Sequence, residues 1–174
     1  MRSGELGWWE VFGLRFIRPN ILLNVAPTRE GAPYPMVLFS PGNGTDIEFC
    51  SGLAREMVGH GYIVVGLNHP HDVAAVELSN GSVAPYDKDQ WLLSQREHAT
   101  YTAERITVKT TEVLFALDLV TALNSNLTSP LAGLFDLDSA AVVGHSLGGI
   151  TASEAYKAGG CFSEGFSFQM MPDA

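Results

Sequence analysis

The segment Ala140-Ala141-Val142-Val143-Gly144-His145-Ser146-Leu147-Gly148-Gly149-Ile150 constrains this chain more than any other. Its first four residues, small or β-branched, read as a buried strand. Helix-forming residues resume at Ile150-Thr151-Ala152-Ser153-Glu154-Ala155-Tyr156, and Gly159-Gly160 ends them. Between the two lies Gly-x-Ser-x-Gly. A chain that doubles back from strand to helix this sharply strains the residue at the apex. Side chains two positions before and after the apex would collide, so both want glycine. The turn lifts the Ser146 hydroxyl above the sheet edge, and the helix that follows aims free N–H groups at any developing oxyanion. Ser146 is therefore the candidate nucleophile, Gly144 and Gly148 the glycines of the turn, and Leu147 N–H a candidate oxyanion donor. A bare match of this kind is expected by chance in about one such chain in seven. The strand before it and the helix after it supply the confirming context.

The rest of the chain reads as strand–helix–strand units. Met36-Val37-Leu38-Phe39 is a short apolar run bounded by Ser40-Pro41-Gly42-Asn43-Gly44. From Thr45 or Asp46 a helix is expected, with Ile47, Cys50, Leu53, Ala54, Met57 and Val58 on one face and Gly59 and Gly61 at its end. Tyr62 to Leu67 is a second buried strand, parallel to the first. Asn68 to Trp91 reads as a long loop containing an Asn80-Gly81 turn. From about Ser94 to Leu123 the apolar residues Ile106, Val113, Leu114, Leu117, Val120 and Leu123 predict a long helix. Residues 1–34 yield no clear element. With 174 residues, 46% hydrophobic, the chain suits one α/β domain with a mostly parallel sheet flanked by helices. The nucleophile turn makes this an α/β-hydrolase fold over residues 1–174, and only its N-terminal part. In that fold the loop after the first strong strand supplies a second oxyanion N–H, here assigned to Asn43.

Charge and composition exclude other classes. The formal net charge is −9 and no Lys/Arg cluster occurs, so a nucleic-acid partner is not expected. No run of 18 apolar residues is present, so no membrane-spanning helix is expected. Glu5 and Glu10 interrupt any signal-peptide core, and no secretory signal is read. Three Asn-x-Ser/Thr triplets, at Asn43, Asn80 and Asn126, hint mildly at secretion. The compartment and oligomeric state stay open. Cys50 and Cys161 are read as buried free thiols.

Three stretches resemble the platelet-activating factor acetylhydrolase family, in its plasma and intracellular type II branch and fungal relatives. They are Tyr34 to Gly42, Gly61 to Asp72 with His69-Pro70-His71-Asp72, and Val143 to Gly149. Many members have His where Pro41 stands and Leu where Asn43 stands; the donor there is a backbone N–H. The resemblance implies hydrolysis of short or oxidised sn-2 acyl esters of phospholipids, with no metal, calcium or other cofactor. It also implies attack by Ser146, with a His as base oriented by an Asp.

In α/β-hydrolases the acid and the base follow the nucleophile. After Ser146 the chain holds Glu154, Glu164 and Asp173 and no histidine. Glu154 reads as surface or packing. Upstream, His60 sits at a helix end, His69 and His71 could line the pocket, His98 lies on the long helix, and His145 points away from the hydroxyl. The chain therefore reads as truncated, with weak or absent turnover expected. Two other readings stand beside this one: a cutinase-like or dienelactone-hydrolase-like esterase, and a non-catalytic α/β-hydrolase-like module that binds a lipid or a partner.

Overall fold

A computed structural model describes residues 22, 24–73, 75–87, 98–159 and 162–168. Strand β1 spans Tyr34–Ser40. A 3-10 turn at Ile47–Cys50 leads into helix α1, Ser51–Gly59, and strand β2 covers Ile63–Gly66. A small hairpin follows, β3 at Ala75–Glu77 and β4 at Val83–Pro85. Helix α2 is the long His98–Ser125. Strand β5, Phe135–His145, runs into helix α3, Leu147–Lys157, and strand β6 is Glu164–Phe168.

The main sheet has the order β2-β1-β5-β6, and all its pairings are parallel. β1 aligns Phe39 with Val143 and Ser40 with Gly144. From β1 the chain winds outward to β2; from β5 it winds the opposite way to β6. The carboxyl ends of β1 and β5 therefore flank the topological switch point, where open α/β sheets hold ligands.

Alternation along the strands builds two apolar layers. Met36, Leu38, Ala140 and Val142 face α2 and α3, and pack with Val113, Leu117, Val120, Ala152 and Ala155. Val37, Phe39 and Val143 face the opposite side, where Ile47, Cys50 and Met57 partly cover them. The helix expected from Thr45 starts instead as a 3-10 turn. No residue of α1 is fully buried, and Leu53 and Val58 stay exposed, because α1 covers only part of its sheet face. Beside it an open groove of about 530 Å³ runs between Leu53, Met57 and Tyr62 and the β5–β6 side at Ala141, Val143 and Glu164.

Three further expectations are corrected. The stretch from Asn68 is not loop throughout, because Asn80-Gly81 closes the β3–β4 hairpin, with Gly81 at φ 79°. The final stretch yields β6, a strand unforeseen from sequence, in which Phe166 and Phe168 alternate with small residues. Cys50 is a free thiol, but half-buried rather than buried. Cys161, Asp173 and the proposed helix start at Ser94 lie outside the described residues.

Candidate active site

Ser146 joins β5 to α3 with φ 55° and ψ −122°, a region of backbone space that costs an L-residue strain. The flanking glycines explain how the turn closes. A Cβ on Gly144 would overlap the Gly148 carbonyl, and a Cβ on Gly148 would overlap the Ser40 carbonyl oxygen at the end of β1. The turn is thus wedged against the neighbouring strand, and only hydrogen fits at both contacts.

The Pro41–Gly44 loop meets this turn directly. A Cβ on Gly42 would lie 3.3 Å from the Ser146 Cβ and 3.3 Å from His145 Nδ1. The loop is a tight turn: Thr45 N–H donates to Gly42 O at 3.3 Å, and Gly44, at φ 72°, donates its N–H to Asp72 O at 2.9 Å. Asn43 N–H, between them, has no acceptor among the described residues. On the other side, Gly149 and Ile150 N–H both turn back to Ser146 O, at 2.9 and 3.3 Å. Leu147 N–H belongs to the first turn of α3, where no intrahelical acceptor exists. The sequence-derived candidates Asn43, Ser146 and Leu147 therefore converge on one edge of the sheet.

His60, His69 and His71 do not converge there. His69 is 1% exposed. Its Nε2 lies 2.9 Å from Ser40 Oγ and its Nδ1 2.5 Å from Glu112 Oε2. The expectation that it could line the pocket is corrected, because both ring nitrogens are engaged inside the fold. His71 sits at φ 69° with Nδ1 3.1 Å from Pro85 O, tied to the hairpin. His60 caps α1, its ring 2.9 Å from Glu56 O. The His145 ring packs towards Gly42. Glu154 pairs with Lys157 at 2.8 Å on the surface.

Under the loop lies a charged cluster that the sequence reading did not single out. Asp72 is fully buried, 2.6 Å from Arg105 Nη2 and 3.1 Å from Lys109 Nζ. Burial pushes the Lys109 ammonium below its ordinary value, and Asp72 opposes that push. Tyr101, one turn earlier on α2, is buried beside this cluster, and its phenol is raised first by burial and then by Asp72. The available signal was spacing: Tyr101, Arg105, Lys109 and Glu112 recur every three or four residues, on the same side of α2 as Val113.

The comparisons decide the family. The model for platelet-activating factor acetylhydrolase, isoform II, matches residues 19–171. This chain belongs to that family. Platelet-activating factor acetylhydrolase of Canis lupus familiaris is 26% identical over 150 residues, which cover 75% of this chain and 33% of that protein. A probable 1-alkyl-2-acetylglycerophosphocholine esterase of Arthroderma benhamiae is 30% identical over 141 residues, 77% of this chain and 30% of that one. This family member thus spans about a third of the length of these relatives. Among solved structures, a ferulic acid esterase from Streptomyces cinnamoneus superposes with a TM-score of 0.58 at 20% identity, over 78% of this chain and 36% of its own. That likeness establishes the α/β-hydrolase fold.

Proposed function

We propose that this chain carries the nucleophile and the oxyanion cradle of a serine esterase that cleaves short sn-2 acyl esters of glycerophospholipids. The observation that carries the reading is the strained Ser146, packed against Gly42 of the loop that presents Asn43. Ser146 Oγ attacks the acyl carbonyl, and its proton passes to a base. The N–H groups of Asn43 and Leu147 take the oxyanion. Collapse expels the lysophospholipid and leaves an acyl-serine, which water then hydrolyses. The substrate class follows from family membership and from the names of the two relatives.

His60, His69 and His71 are each held by other partners, so the base is the element least supplied here. We infer weak turnover for this chain by itself. Incubated with p-nitrophenyl acetate, it should release p-nitrophenol in no more than a stoichiometric burst, absent from Ser146→Ala. Sustained turnover, lost in Ser146→Ala, would overturn the inference and require a base among the upstream histidines.

A further inference from the structure

We propose that Arg105, Lys109 and Glu112 of α2, acting through His69 and Asp72, hold the Pro41–Gly44 loop in its oxyanion-binding shape and are positioning residues for the chemistry at Ser146. The inference rests on the reading of Ser146 as nucleophile and Asn43 N–H as donor. The three α2 side chains stand at i, i+4 and i+7, on one helix face. Each reaches the loop by a short path.

The entry to the loop is held through His69. Glu112 accepts a hydrogen bond from His69 Nδ1 at 2.5 Å, and the opposite nitrogen faces Ser40 Oγ at 2.9 Å. A carboxylate only accepts, so Nδ1 carries the proton; in the neutral ring Nε2 then accepts from the Ser40 hydroxyl. Ser40 is fully buried, ends β1 and provides the carbonyl against which Gly148 is wedged. Fixing Ser40 therefore fixes both the start of the loop and its contact with the nucleophile turn. The connectivity is that of a Ser–His–acid triad, yet the serine is sealed inside, so its product is geometry.

The exit is held through Asp72. Arg105 and Lys109 clamp its carboxylate, and its main-chain oxygen takes the Gly44 N–H at 2.9 Å. Lys109 Nζ also donates to Pro41 O, at 3.5 Å. Both ends of a four-residue loop are thus referred to one helix. A buried ion-pair network adds little net stability compared with an apolar core. Its benefit is to hold polar groups in one arrangement, and here that arrangement surrounds the loop.

The test measures the rate at which a fluorophosphonate probe labels Ser146, as a function of probe concentration, together with the backbone amide resonances of Asn43 and Gly44. Ser40→Ala and Glu112→Ala should slow labelling at saturation about tenfold, with the half-saturating concentration nearly unchanged, because misplacing a donor by under 1 Å costs rate rather than binding. Both should shift the Asn43 and Gly44 resonances. Glu112→Gln, whose amide oxygen can still accept from His69, should recover most of the rate. A fall in melting temperature with labelling and resonances unchanged would show a purely structural network and overturn the proposal. If the unmodified chain does not label, the nucleophile reading fails, and the resonances decide: shifts in both variants sustain the clamp, and no shift refutes it.

Discussion

At the scale of single residues, the site is built from places where no side chain fits. Ser146 stores strain at φ 55°, and the contacts of Gly144 and Gly148 keep it there. Ser146→Gly, which suits that conformation, should raise the unfolding free energy by about 1 kcal/mol in urea titrations. Gly148→Ala should lower it by about 3 kcal/mol or more, because the added methyl meets backbone carbonyls that cannot move aside. If Ser146→Gly were neutral, the apex would be unstrained. These residues were legible in the sequence because a local rule governs them: a sharp strand-to-helix turn needs glycine two residues before and after. His69 was not legible in the same way. Its partners lie 29 and 43 residues away, and no local pattern distinguishes a histidine that lines a cleft from one locked beneath it.

At the scale of elements, α2 carries two different cargoes. Its apolar residues Val113, Leu117 and Val120 pack on the sheet, as their periodicity predicts. Two turns earlier the same helix buries Arg105 and Lys109 around Asp72. Hydropathy periodicity registers the first cargo and treats the second as solvated surface, so the element was readable and its function was not. Lys109→Met should cost about 3 kcal/mol near neutral pH, at the modest end for a broken buried pair because Arg105 stays with Asp72. The pH dependence has a definite sign. Burial lowers the Lys109 pKa in the folded state from its ordinary 10.5, so in the alkaline window below that value the unfolded chain holds a proton the native chain has lost. Stability contributed at this site then rises with pH. The gap between the native chain and Lys109→Met should widen as the pH rises through the alkaline range towards 10.5 in urea titrations. A gap that narrows would mean that the ion pair with Asp72 outweighs desolvation.

At the scale of the whole molecule, the order β2-β1-β5-β6 brings residues 40–44 and 144–149 to one edge, although about 100 positions separate them in the chain. The parallel architecture was legible from three short apolar runs, each bounded by glycine or proline. β6 was missed because its pattern is short and split by Gly165, and it becomes a strand only by pairing with β5. The β3–β4 hairpin was missed because its strands are three residues each and largely exposed. What the topology assembles is a serine on a strained turn, the N–H of Asn43 in the loop after β1 and the N–H of Leu147 in the first turn of α3. The central claim is that this assembly activates Ser146. Treating the purified chain with a fluorophosphonate and mapping the adduct by peptide mass spectrometry tests it most directly. The account predicts one adduct, on the peptide containing Ser146, and none in Ser146→Ala; an unlabelled chain, or an adduct on another serine such as Ser40, would contradict it.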